Sequence, residues 1–158
     1  MIYHVGDKVI HVAHGLGEVV HIEEKTIHGR STNCYVVRTQ DLTVWIPIDD
    51  LQQNSLRMPA TPDEFERLFV ILNSPSETLP EDRVLRKDQL SALLRDGQLA
   101  SICRVVRDLT HFMRTSKLND QEKSILERAT KSLITECTYS LGLSTIQAQR
   151  EVEKQLQM

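Results

Sequence analysis

The sequence predicts an α+β protein in which a small β-barrel module is followed by an all-α bundle of about five helices. Three observations carry that reading. Short runs rich in β-branched residues alternate with turn residues as far as residue 58, apolar spacing becomes helical from residue 61, and helix-start signatures recur through the second part. The expected domains are residues 1–58 and residues 59–158, joined near Met58-Pro59-Ala60. With 158 residues and 40% apolar content, the chain can bury a core without disulfide or metal staples.

In the first module, Val9, Ile10 and Val12 follow a Gly6-Asp7 turn signal, and His14-Gly15-Leu16-Gly17 is expected to break the chain before a strand at Glu18-Val19-Val20-His21-Ile22. His28-Gly29-Arg30-Ser31 reads as a turn. Cys34-Tyr35-Val36-Val37-Arg38 and Leu42-Thr43-Val44-Trp45-Ile46-Pro47 then sit at hairpin spacing across Gln40-Asp41. Short strands at such regular intervals fit an SH3-like or Tudor-like barrel.

In the second module, Thr61-Pro62-Asp63-Glu64 combines an N-cap threonine, proline at the first helical position and acids in the first turn. Asn119-Asp120-Gln121-Glu122 and Ser144-Thr145-Ile146-Gln147 repeat the capping-box spacing. Apolar stripes follow: Phe65, Leu68, Phe69 and Leu72; Ile102, Val105, Val106, Leu109 and Met113; Ile125, Leu126, Ala129, Leu133 and Ile134. Breaks are expected at Asn73-Ser74-Pro75-Ser76, near Asp96-Gly97, at Ser116 and at Gly142.

Motifs for catalysis or metal binding are weak. Cys34, Cys103 and Cys137 lie far apart without C-x-x-C spacing, so reduced thiols and a cytoplasmic location are expected. His11 and His14, if extended, fall on opposite faces, and no second pair completes a tetrahedral set. Asp49 and Asp50, adjacent in a strand, also diverge, and Asp41 reads as a turn residue. No zinc-protease, phosphate-loop or nucleophile-elbow motif occurs, and no apolar run is long enough to cross a membrane. The chain is therefore expected to be no enzyme, with no cofactor and no metal.

The net charge of -3 argues against a nucleic-acid partner only until it is divided. Residues 62–82 hold six acids against one base, whereas residues 83–131 hold eleven bases against six acids, a local net of +5. Arg83, Arg86 and Lys87 cluster at an expected helix start, where backbone amides also favour phosphate, and Arg104 and Arg107 share a helix face. Each basic residue alone reads most simply as solvated surface; the cluster reads as a phosphate-backbone footprint without base-specific contacts. In the strand before Pro47, alternation puts Leu42, Val44 and Ile46 on one face and Thr43 with Trp45 on the other. Trp45 is then either an interface anchor or a cover for its own module.

Val5-Gly6-Asp7-Lys8-Val9, His14-Gly15-Leu16-Gly17, Lys25-Thr26-Ile27-x-Gly29, Tyr35-Val36-Val37 and Val44-x-Ile46-Pro47 together resemble the N-terminal RNA-polymerase-interacting domain of the CarD/CdnL family, a domain type also found in transcription-repair coupling factors. Val105-Val106-Arg107-Asp108-Leu109 and the Leu118-x-x-x-Glu122-Lys123-x-x-Leu126 stretch resemble the family's C-terminal domain. The resemblance implies a bacterial transcription regulator, monomeric and nucleoid-associated through polymerase. It binds the polymerase β subunit through the Tudor-like domain, at Lys25, Val44, Trp45, Ile46 and Pro47, and contacts promoter DNA at the upstream edge of the bubble through Arg83, Arg86, Lys87, Arg104 and Arg107. Contacts that favour the open complex shift the equilibrium by their difference between states, ~1–3 kcal/mol.

Three positions, two in the helical module and one in the β module, depart from the family pattern. Arg83 stands where the family commonly has a tryptophan wedged at the DNA fork, with Asp88 where a base is usual, and Trp45 stands where others often carry arginine. With the total charge negative, free DNA should bind poorly and tethering to polymerase should supply most of the affinity. The alternative is a protein-protein adaptor of the transcription machinery without direct DNA contact.

Overall fold

The computed structural model describes residues 3–48 and 55–157; Asp49 and Asp50 lie outside the described residues. It divides into two compact units, residues 1–59 and residues 60–158. Among the described residues, five strands, β1 (Lys8–His11), β2 (Gly15–Ile27), β3 (Arg30–Thr39), β4 (Thr43–Pro47) and β5 (Leu56–Arg57), precede five helices. These are α1 (Pro62–Leu72), α2 (Arg83–Arg95), α3 (Leu99–Thr115), α4 (Asp120–Leu141) and α5 (Thr145–Gln155).

The strands form one antiparallel sheet in the order β4-β3-β2-β1-β5. The α+β class is as expected; closure into a barrel is not part of the pairing among the described residues, where β4 and β5 are the two edges. His28 and Gly29, both at positive φ, form a two-residue hairpin loop whose twist matches the flanking strands. A bulge at Val20 lets β2 change register between Val19 and His21.

The glycine-rich stretch corrects the sequence expectation. Gly15 to Gly17 do not break the chain but begin β2, pairing with His11, Ile10 and Val9 of β1. A Cβ on Gly17 would lie 2.8 Å from Val37 Cγ1 and 2.9 Å from the Arg38 carbonyl oxygen, so this glycine serves close strand packing. Tyr3, Val9, Val19, Tyr35, Val37, Ile46 and Leu56 make the core of the unit. The Tyr3 amide donates to the Tyr35 hydroxyl at 3.0 Å, and the Tyr3 hydroxyl donates to the Leu56 carbonyl at 3.3 Å, tying the chain start to β5.

In the helical unit, Thr61 caps α1, and Asn119 and Ser144 make capping boxes on α4 and α5. Gly142 ends α4 in the left-handed conformation. Phe65, Leu90, Val106, Leu109, Ile125, Leu133 and Val152 bring all five helices into one core. Met113 is exposed rather than core-facing; Cys103 is buried on α3 instead. Glu136, buried on α4, accepts the Ala60 amide at 2.8 Å and so fixes where the helical unit begins. Among the described residues no helix is long and apolar enough to cross a membrane.

Candidate functional site

Trp45 faces away from the β core. Register pairs Trp45 with Val36 and Pro47 with Cys34 across β3–β4, and Cys34 with Glu23 and Thr32 with Lys25 across β2–β3. Paired residues share a sheet face, so Trp45, Pro47, Glu23 and Lys25 gather opposite the core residues Ile46, Tyr35 and Val37. Trp45 is 38% exposed. Its Nε1 donates to Glu23 Oε1 at 2.5 Å, and Lys25 Nζ lies 3.9 Å from the ring centroid. The indole is thereby held at its edge by a carboxylate and on its face by an ammonium. Cys34 and Val36 are buried on this same outer face. Burial pushes the Cys34 thiol up, with Lys25 opposing that shift and Glu23 adding to it.

The five residues expected to bind polymerase therefore divide. Lys25, Trp45 and Pro47 share the outer face, whereas Ile46 is buried in the module's own core and Val44 packs against that core. The last two are accessible to a partner chiefly through the backbone of β4, which is an edge strand among the described residues.

The basic residues of the helical unit divide more sharply. Arg83, Lys87 and Arg104 are exposed, but Arg86 is only 6% and Arg107 only 8% exposed, which corrects their assignment to a DNA-contacting surface. Arg86 Nε lies 2.5 Å from Glu122 Oε2, and its Nη1 donates to the carbonyls of Pro80 and Glu81 at 3.0 and 3.1 Å. Its guanidinium also lies 4.8 Å from the Phe112 ring centroid. Arg86 is the pin that joins α2, α3 and α4. Burial alone would raise the Glu122 pKa, but hydrogen bonds from Arg86 and the Asn119 backbone, with the charges of Arg86 and Arg83, outweigh it and hold the carboxyl below its usual value. Arg107 Nε donates to Asp108 Oδ1 at 2.9 Å and its Nη1 to the Ile71 carbonyl at 3.3 Å.

The local excess of positive charge survives this correction. Each buried arginine is matched by a buried acid, so nine exposed bases still face four exposed acids in residues 83–131, a net of +5. The anion-attracting helix start does not survive it. Asp82 caps α2, and its Oδ1 accepts from the amides of Val84 and Leu85 at 2.8 and 3.1 Å, so a carboxylate already occupies that terminus. Arg104 lies two turns before Phe112 on α3, roughly 12 Å along the axis from the ring that Arg86 covers.

His11 and His14 are likewise rearranged. A turn rather than an extended segment separates them, so their rings stack with centroids 4.8 Å apart, and His11 Nδ1 accepts the amides of Ala13 and His14. Among the described residues, no three His, Cys, Asp or Glu side chains form a group that could hold a metal ion.

Residues 3–58 match the CarD-like/TRCF RID domain and residues 67–153 match the CarD C-terminal domain. The chain belongs to the CarD family. It is also similar to the Bacillus subtilis (strain 168) protein named "Putative transcription factor YdeB", with 27% identity over 148 residues covering 90% of this chain and 94% of the relative. Within this CarD-family chain, the Trp45 cluster lies inside the RID match, and Arg83, Lys87 and Arg104 lie inside the C-terminal match.

One surface feature of the CarD C-terminal domain escaped the sequence reading. Val84 and Leu85, 67% and 60% exposed on the first turn of α2, stand between Arg83 and the exposed Lys87. Two adjacent apolar residues two and three positions after an N-cap acid, off the line of the buried Arg86 and Leu90, were the available signal.

Proposed function

We propose that this chain is a non-catalytic bacterial transcription regulator. Its β unit, a Tudor-like module, binds the RNA polymerase β subunit. Its helical unit stabilises the open promoter complex through DNA contacts that do not read sequence. The observation that carries the reading is Trp45, held by Glu23 and Lys25 on the exposed face of edge strand β4 within the RID match. A fixed, half-exposed indole is a low-entropy anchor, and a strand edge left unpaired among the described residues offers backbone groups for strand addition. The name of the Bacillus subtilis relative, "Putative transcription factor YdeB", supports the same assignment.

On the DNA side, Arg83, Lys87 and Arg104 supply phosphate contacts, and Val84 and Leu85 supply the apolar surface that a partly unstacked base step accepts. Arg86 and Arg107 act from inside the fold by positioning the helices.

The test is association of the intact chain with purified bacterial RNA polymerase, followed by open-complex lifetime. Trp45→Ala should weaken association by ~2 kcal/mol or more, as truncation of a central aromatic anchor does. Charge reversal at Arg83, Lys87 and Arg104 should shorten the open-complex lifetime while leaving that association intact. No binding of the intact chain would overturn the reading. The exposed Val84-Leu85 pair favours a second reading, a protein-protein adaptor docking through α2; normal binding with no effect of charge reversal on the open complex would select it.

A further inference from the structure

Along α3, Arg107, His111 and Arg114 recur at helical spacing, so one face of the helix carries three nitrogen-rich side chains. All three line a cavity of about 450 Å³ bounded by the chain after α1 and by the end of α5. Among the described residues, no aspartate or glutamate lines it. The two arginines are fixed by the walls themselves. Arg107 Nη1 donates to the Ile71 carbonyl at 3.3 Å, and Arg114 Nη2 donates to the Leu156 carbonyl at 3.0 Å. A bond from Gln157 Nε2 to Asn73 Oδ1 at 2.6 Å joins the two ends across the rim.

The simplest account of these arginines is that they satisfy carbonyls at helix C-termini. It is incomplete. A guanidinium carries five N–H donors, and the bonds to carbonyls orient each fork without exhausting it. The Arg107 charge is balanced by Asp108, but among the described residues Arg114 has no acidic partner. Ser76 and Thr110 add hydroxyl donors to the lining, and Leu72, Pro75 and Leu156 add apolar wall.

We propose that this cavity binds a small organic phosphate. The phosphate group sits against Arg107, His111 and Arg114, where planar forks and hydroxyls match tetrahedral oxygens. The volume falls in the range of small-molecule sites, ~300–1,000 Å³, and leaves room beyond the phosphate for an organic body against the apolar wall. Because the walls come from α1, α3 and α5, occupancy ties three helices together and stabilises the helical unit.

The test is a backbone amide NMR titration of the full chain with pyrophosphate, adenosine diphosphate, adenosine and a short DNA duplex. Pyrophosphate and adenosine diphosphate should produce saturable shifts at Ser76, Thr110 and His111, and adenosine none. Arg114→Ala and His111→Ala, both at exposed positions, should each weaken binding by about tenfold with the fold unchanged, as expected for loss of a charge-assisted contact. Absence of saturable shifts, binding unaffected by Arg114→Ala, or movement of these amides with the duplex but not with pyrophosphate would each overturn the assignment.

Discussion

Lys25 Nζ stands 3.9 Å from the centroid of the Trp45 ring, joining strands β2 and β4 across β3 on the outer face of the sheet. Two residues 20 positions apart in the chain thus form one surface feature, completed by the bond from Trp45 to Glu23. Such a contact at an exposed site is worth only ~0.5–1 kcal/mol to the fold. Its larger consequence is that the indole is presented in one orientation.

Lys25→Glu should therefore separate stability from function. Thermal unfolding should change by no more than ~1 kcal/mol, whereas affinity for polymerase should fall because the indole loses its cation and gains a second neighbouring carboxylate. Trp45 is the single tryptophan of the chain, so its emission spectrum reports the altered ring environment directly. An unchanged spectrum in Lys25→Glu would show that the cation does not hold the ring in solution.

The buried pair Arg86–Glu122 gives a stability prediction of larger size. Arg86→Ala should cost ~3–5 kcal/mol in urea denaturation because it strands a buried carboxylate, and replacing both partners by apolar residues should cost much less. The Glu122 pKa lies below the ordinary carboxyl value of 4.5 in the folded protein. Its contribution is therefore present in full above the unfolded-state value and is lost as pH falls toward and through the folded one. Wild-type stability should drop over that acid range, and the drop should be smaller in the double apolar variant.

Asp82→Ala should cost ~1 kcal/mol by uncapping α2, measurable as a shift in the denaturation midpoint without change of slope. Asp82→Asn should retain most of that stability, since an amide oxygen can still accept from Val84 and Leu85. Equal losses in the two variants would mean that charge rather than the cap bond sets the effect.

Gly17→Ala should destabilise the β unit by ~1–3 kcal/mol, because the added Cβ meets the Arg38 carbonyl as well as the buried Val37 side chain, which is stiff at χ1. Hydrogen exchange at β2 and β3 amides is the direct measurement, and protection there should fall before protection in the helical unit. A Gly29→Ala variant should be costly for a different reason, its φ of 77° in an open turn.

Features that depend on near neighbours in the chain are legible without the fold. The caps at Thr61, Asn119 and Ser144 act over three residues, the apolar stripes repeat within two turns, and the alternation that turns Trp45 outward needs only its own strand. The +5 block was equally legible, because pairing a buried base with a buried acid leaves the sum unchanged. Tertiary structure alone decided which bases carry that charge to the surface. The partner of Arg86 is 36 residues away, and the carbonyl that binds Arg107 is 36 residues away in the other direction. Burying a guanidinium is unfavourable until such a partner arrives, so no local rule marks the residue in advance. The same holds for the stacked His11 and His14, for Gly17 pressed against β3, and for the cationic cavity whose three walls meet only after α1, α3 and α5 have packed.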